Sequence, residues 1–293
     1  MSLGNLVEKG ISFLKDKFQP NETNKTVFIT GCSTGIGRAT AIGFAQQGWN
    51  VVATMRNTAN ANGFEKYGNI SVVELDVTNI TQIEKALETA EKQFGKVEVV
   101  VNNAGICVFG ALEHVAESNI DKQWNVNVRG TINVTRAFIP HFKKNGKGMF
   151  INISSIAGLS TNTPVASLYS MSKFAVEGFT EGLYYELKPL NIDVHLVEPG
   201  SYKTAIAGNT IFDYDPHTPG YDGIVAKMKS VFDNADSFER GDPSEVAAAV
   251  FLIATGKSKK FRTVMGKDAE QTMAFRNAVP IEEYLSKTAG FFK

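Results

Sequence analysis

Cysteine is nearly missing from this chain: there are two, Cys32 and Cys107, in 293 residues. They provide neither a disulfide framework nor a metal-ligand spacing, so they read as reduced thiols of an intracellular, cytoplasmic protein without a metal site. An excess of charge of either sign is also lacking. Thirty basic residues balance thirty acidic ones, which leaves no electrostatic case for a nucleic-acid partner. No apolar run reaches the length of a membrane span, and there is no internal repeat or low-complexity tract. Asn-x-Ser/Thr triplets occur, but one of them, Asn152-Ile153-Ser154, falls in a stretch expected in the core, so all are read as chance.

What the chain does have is apolar content, 43% of residues with 20% charged, enough for one sizeable α/β core. Val7, Ile11, Leu14 and Phe18 fall at helical spacing among polar residues, the pattern of an amphipathic helix. It lacks the long apolar core and small-residue cleavage site of a secretory signal. The helix is expected to break at Gln19-Pro20, and residues 21–24 read as a polar linker to a body spanning 25–293. In that body strand and helix patterns alternate. Strands are expected at Val27–Thr30, Asn50–Met55, Ile70–Glu74, Val97–Asn102, Met149–Ile153 and Asp193–Glu198, with Val264-Met265-Gly266 as a last one. Such alternation implies a parallel sheet covered on both faces.

Two segments carry chemistry. The first is Thr30-Gly31-Cys32-Ser33-Thr34-Gly35-Ile36-Gly37, between the apolar run Val27-Phe28-Ile29 and a helical pattern from Ala39 to Gln47. Strand, glycine-rich turn and helix in that order make a phosphate cradle, because glycines let the backbone approach and the helix start offers unpaired N–H groups. The second is Tyr169-Ser170-Met171-Ser172-Lys173. Tyr and Lys four apart on a helix lie about 5–6 Å from each other at Cβ. At an effective dielectric near 20 that gives about 2.8 kcal/mol in favour of the phenolate, or roughly two pKa units, enough to begin turning a phenol into an acid–base catalyst.

With both segments in hand, the chain resembles the short-chain dehydrogenase/reductase family over about Val27 to Pro199. The resemblance implies a Rossmann-type, doubly wound parallel sheet in a single domain. Thr30, Gly31, Ser33, Thr34, Gly35, Ile36 and Gly37 match that family's cofactor turn. Asp76 and Val77 match its contact at the adenine end, and Asn102-Asn103-Ala104-Gly105 the segment closing the fourth strand. Pro199-Gly200 and Thr204 match the turn at the nicotinamide. The implied catalytic set is Asn127, Ser155, Tyr169 and Lys173. In it Tyr169 transfers a proton, Ser155 holds the substrate oxygen, Lys173 binds the nicotinamide ribose and lowers the Tyr169 pKa, and Asn127 positions a water. Fourteen positions separate Ser155 from Tyr169 where the family gap is thirteen; the extra residue is expected in the Thr161–Pro164 turn, with Ser154 as the alternative serine.

After the second strand, Ala53-Thr54-Met55-Arg56-Asn57 holds no acid to bind a ribose diol, and Arg56 supplies a guanidinium suited to a 2′-phosphate. NADP(H) is therefore expected over NAD(H), with Arg38 as a second candidate cation. Between Gly200 and about residue 235, Tyr202, Ile206, Ile211, Phe212, Tyr214 and Tyr221 read as a lid over an apolar pocket or as aromatic packing under a long loop. His114 and His217 read as surface residues, and Lys257 to Arg262 as a solvated basic turn. Asp242-Pro243-Ser244-Glu245 reads as a helix start. The tail is similar to the hydroxysteroid and retinol dehydrogenase branch, which implies a bulky apolar ketone, aldehyde or alcohol as substrate and a homodimer or homotetramer. Two other readings stand beside this one: a cofactor-binding sensor without turnover, and an epimerase or dehydratase using the same Tyr and Lys.

Overall fold

Short runs rich in Val and Ile alternate with amphipathic helices, and each run is long enough to cross a sheet once. The computed structural model describes residues 25–204, 210–213, 219–234 and 240–290. The expected N-terminal helix and linker, and Ile206, Tyr214 and His217, lie outside the described residues. Seven strands, β1 (Thr26–Ile29), β2 (Asn50–Met55), β3 (Ile70–Glu74), β4 (Val99–Asn102), β6 (Gly148–Ile153), β7 (Ile192–Pro199) and β9 (Arg262–Met265), form one parallel sheet in the order β3-β2-β1-β4-β6-β7-β9. Two further strands, β5 (Cys107–Phe109) and β8 (Thr210–Phe212), pair in parallel outside it.

The strands bury both faces, so side chains alternate between two cores. Val27, Ile29, Val51, Val101 and Ile151 pack with residues of α1 (Gly35–Gln46) and α7 (Pro243–Ala254). Phe28, Val52, Val100 and Phe150 pack on the opposite face with α2 (Ile80–Phe94), α4 (Gly130–Lys144) and α5 (Ser167–Leu187). The remaining helices are α3 (Glu117–Trp124), α6 (Asp222–Asp233), α8 (Lys267–Ala278) and α9 (Ile281–Gly290). Among the described residues no helix is long and apolar enough to cross a membrane. Asp242 and Glu245 form a complete capping box at the start of α7, as the sequence implies.

Two expectations change. Arg262 is not part of a solvated turn: it opens β9, and its guanidinium donates to Glu177 Oε2 at 2.9 Å and Glu181 Oε2 at 2.8 Å on α5. Pairing of β9 with β7 brings Arg262 beside α5, a long-range effect that a run of Lys and Arg does not announce. Tyr202 is buried, its backbone bridged to Gly241. Phe212 stacks on Phe109 with ring centroids 5.9 Å apart, so aromatic packing describes these two better than an open lid.

A polar chain crosses the apolar layer between β4, β6 and the helices. Asn102 Nδ2 donates to Thr135 Oγ1 (3.2 Å) and Asn152 Oδ1 (2.9 Å), and Asn152 Nδ2 donates to Thr180 Oγ1 (2.8 Å), all of them buried. It ties the ends of β4 and β6 to α4 and α5. Removing the central amide leaves buried partners unpaired, so Asn152→Ala is expected to lower unfolding free energy in urea by about 1–3 kcal/mol; a loss under about 0.5 kcal/mol would show the chain to be dispensable.

Candidate active site

Strand order reverses between β1 and β4, since the chain runs outward from β1 through β2 to β3 and then returns to β4. At such a point the loops beyond the carboxyl ends part in opposite directions and leave a crevice. Here that crevice is a cavity of about 560 Å³.

Most of the residues singled out in the sequence line it. Gly31, Ser33, Thr34, Gly35 and Ile36 enter from the turn after β1, and Arg56 from the end of β2. Asp76 and Val77 follow β3, and Asn103, Ala104 and Gly105 follow β4. Ser155 comes just after β6, Tyr169 and Lys173 from α5, and Pro199, Gly200 and Thr204 from the end of β7. Thr30, Gly37 and Asn127 do not line it; they stand behind its wall and shape it. The Thr30 hydroxyl accepts from the N–H groups of Asn103 (2.9 Å) and Ala104 (3.0 Å), while Asn103 Nδ2 donates to the carbonyls of Thr30 (2.9 Å) and Gly31 (3.1 Å). A Cβ at Gly37 would clash with the Gly31 carbonyl and the Asn103 amide. Asn127 lies in a π-helical turn, Asn125–Arg129, between α3 and α4. Its amide is used entirely on Ile106 N (2.9 Å), Ile106 O (2.9 Å) and Ser172 Oγ (3.0 Å).

The cavity suits an anionic, elongated ligand at one end. Thr34 precedes α1 without a side-chain capping bond, and the first turn of α1 carries no acid, whereas α2 and α7 are capped by Asn79 and Asp242. The N–H groups at the start of α1 therefore meet the cavity without a capping side chain of the protein, the arrangement that receives a phosphate. Gly31, at φ 73°, provides the left-handed bend that turns the chain into that helix. Arg56 is exposed on the cavity rim. Arg38, the other candidate cation, is engaged elsewhere: it donates to the Asn62 carbonyl and its guanidinium lies 4.6 Å over the Phe64 ring. Asp76 accepts from Thr78 N (2.9 Å) and Thr78 Oγ1 (2.7 Å), so it shapes its own turn as well as facing the cavity.

The other end holds the acid–base groups. Both serines border the cavity: Ser155 Oγ accepts from Ala157 N at 3.1 Å, whereas the buried Ser154 Oγ has no hydrogen-bond partner. Val165, just after the Thr161–Pro164 turn, takes a left-handed φ of 54°. Lys173 is 6% exposed, donates to the Ile153 carbonyl at 3.0 Å, and sits 5.9 Å from the Tyr169 ring centroid. Burial lowers its pKa to about 8 against the opposing pull of the Cys107 sulfur and the Glu177 carboxylate. Burial also pushes the Tyr169 phenol well above its ordinary value; Cys107 adds to the rise and Ser155 opposes it. Enclosure thus costs the phenolate more than an ammonium across the ring returns, so spacing alone does not bring Tyr169 down.

The two cysteines differ. Cys107 lines the cavity, where burial keeps it a thiol. Cys32 does not line the cavity: it is fully buried, donates to the Ile29 carbonyl, and has its pKa pushed up to about 12 by burial. Sequence reasoning missed the apolar wall of Ile106, Phe109, Ala166 and Met228, and it missed Asp268. Asp268 Oδ2 accepts from Ser201 N at 2.8 Å and pins the turn at Gly200 across 67 positions of chain. That distance leaves no local signal.

The family model for short chain dehydrogenases matches residues 25–214. The chain is 35% identical over 244 residues to a 3-ketodihydrosphingosine reductase of Bacteroides thetaiotaomicron, covering 82% of this chain and 87% of the relative. In three dimensions it is similar to a short-chain dehydrogenase from Streptomyces avermitilis, with TM-score 0.77, 29% identity, and coverage of 92% and 99% of the two chains. It is also similar to a 3-ketoacyl-(acyl-carrier-protein) reductase from Brucella melitensis solved with NADH, with TM-score 0.69, 29% identity, and coverage of 83% and 95%.

The crowding at Gly37 has a measurable consequence. Gly37→Ala is expected to lower stability by about 1–3 kcal/mol, since the Gly31 carbonyl must move. Gly43→Ala on the same helix meets only Ala247 Cβ at 3.8 Å and is expected to be neutral or stabilising by up to about 1 kcal/mol. Urea midpoints of the two variants check the contrast, and equal midpoints would contradict it.

Proposed function

Because the chain belongs to the short-chain dehydrogenase family, we propose that it is an NADP(H)-dependent oxidoreductase that interconverts a carbonyl and an alcohol on an apolar small molecule. One observation carries the reading: Ser155, Tyr169 and Lys173 meet on one wall of the cavity whose other end is the uncapped start of α1. When bound, the nicotinamide cofactor supplies or accepts the hydride. The N–H groups at Thr34, Gly35 and Ile36 hold its phosphates, Arg56 pairs with a 2′-phosphate, and Asp76 and Val77 flank the adenine. Asn103, Ala104 and Gly105 form the floor. Lys173 holds the ribose, and Pro199, Gly200 and Thr204 hold the nicotinamide end.

Ser155 donates a hydrogen bond to the substrate oxygen and fixes it beside Tyr169. Tyr169 gives its proton to that oxygen as the carbonyl is reduced, and takes it back in the reverse direction. The phenol is protonated at neutral pH, the form that the reductive direction needs, but burial raises its pKa and so costs it acidity that a neighbouring positive charge has to restore. Asn127 positions rather than reacts: by joining Ile106 to Ser172 it holds the base of β5 against the helix that carries Tyr169 and Lys173. The apolar wall of Ile106, Cys107, Phe109, Ala166 and Met228 suits an aliphatic or ring-bearing ketone. The names of the two reductases above, both acting on 3-keto compounds, support the same class of substrate.

NADPH oxidation over a panel of ketones and aldehydes tests the reading. Tyr169→Phe is expected to lower kcat by about 10²–10⁴-fold, the usual contribution of a positioned acid, while NADPH binding is kept. Turnover unchanged in that variant would refute the role of Tyr169. Arg56→Asp is expected to move the NADPH-over-NADH preference by about 10–100-fold toward NADH, as loss of a charge-assisted pair implies. An unaltered ratio of kcat/KM values would remove Arg56 from the assignment.

A further inference from the structure

Tyr169, Lys173, Glu177 and Glu181 recur every four residues along α5 and so share one stripe of the helix. Below Lys173 this stripe meets β7 and β9. Glu177, 4% exposed, places Oε2 at 2.9 Å from Arg262 Nε, and the fully buried Glu198 of β7 places Oε1 at 4.0 Å from the same nitrogen. Glu181, half exposed, takes Arg262 Nη2 at 2.8 Å. Two buried carboxylates thus face one guanidinium already shared with a third.

A second unpaired negative charge in that interior costs several kcal/mol, so the pair is stable with one charge and one proton. Hydrogen bonds decide which group keeps the charge. Glu177 Oε2 accepts from Arg262 Nε, a hydrogen bond that neither oxygen of Glu198 has. Glu198 is farther from the cation, and burial followed by repulsion from Glu177 raises it to about 8.

The groups facing Lys173 come from several elements: Tyr169 and Glu177 on α5, Cys107 on β5, Asn127 on the π-helical turn, and the Ile153 carbonyl with Ser154 and Ser155 after β6, with Glu198 and Arg262 behind Glu177. Cys107 stays a thiol at neutral pH because burial holds its proton. Glu177 is therefore the anion that acts on the ammonium.

We propose that Glu177 and Glu198 hold a single proton between them at neutral pH, and that the charge left on Glu177 keeps Lys173 an ammonium. Glu177 is then a positioning residue acting through Lys173. Its importance for turnover rests on the proposed function; the shared proton and the charge of Lys173 do not.

Infrared spectra of protein labelled with ¹³C-carboxyl glutamate read the proton directly. Expected is the carbonyl stretch of a protonated carboxylic acid at neutral pH, lost in Glu198→Gln and lost in the native protein as pH rises through about 8; no such band in the native protein would overturn the shared proton. The ¹⁵Nζ resonance of Lys173, assigned with Lys173→Arg, reads the second half without turnover. Its midpoint, expected near 8, should fall by about one pH unit in Glu177→Gln/Glu198→Gln and hold in Glu181→Gln. Glu177→Gln alone should move it the same way by less, and serves if the double variant does not fold. An unmoved midpoint in a folded variant would overturn the link to Lys173. In turnover, the alkaline limb of kcat/KM should follow the Lys173 midpoint; a shifted resonance in a protein with no carbonyl reductase activity would refute the proposed function and leave this inference standing.

Discussion

The crevice depends on one small clamp, the Thr30 hydroxyl between the ends of β1 and β4. By accepting from two successive N–H groups, those of Asn103 and Ala104, it holds the strand ends together where their loops diverge. The Asn103 amide returns the favour to the carbonyls of Thr30 and Gly31, and Gly37 leaves room for it because it carries no side chain. Without this clamp the glycine turn and the floor after β4 have no fixed distance, and the uncapped start of α1 has no defined mouth. Three residues that never line the cavity, Thr30, Gly37 and Asn127, set its shape from behind.

A different economy governs the catalytic wall. Lys173 and Tyr169 are both disfavoured in their charged forms by burial, so each approaches neutrality from its own side. Burial alone makes the phenol a weaker acid, so on the proposed function proton transfer to a substrate oxygen depends on a positive Lys173 beside it. The supply of negative charge from β7 and α5 is limited by Arg262, which must serve three carboxylates. The wall of the cavity and the buried ion cluster beneath it are therefore one electrostatic unit, joined through two turns of α5.

How much of this was legible in the sequence follows from how local each signal is. The glycine turn, the Tyr–Lys spacing and the strand runs lie within a few residues of each other, and β2 and β3 match their expected bounds while β1, β4, β6 and β7 differ by at most two residues at either end. Cys32 stands in the glycine-rich turn, yet its side chain drops into the core under Ile29, a placement that the turn's composition does not announce. Arg262 and Asp268 were illegible for another reason. Their partners are 85 and 67 positions away, and only the register of β9 against β7 brings them into place.

At Tyr169 burial outweighs the attraction that its spacing from Lys173 implies. Spacing on a helix gives a distance between Tyr169 and Lys173 but not the dielectric between them, and the estimate of two pKa units assumed a site still well screened. The same enclosure that would strengthen the attraction also penalises both charged forms, and with the ammonium 5.9 Å from the ring and bonded to the Ile153 carbonyl, the penalty wins. On the proposed function a neutral phenol then stands beside a buried ammonium, and the positive charge that would draw the proton off Tyr169 is the one that Glu177 is proposed to sustain from outside the cavity.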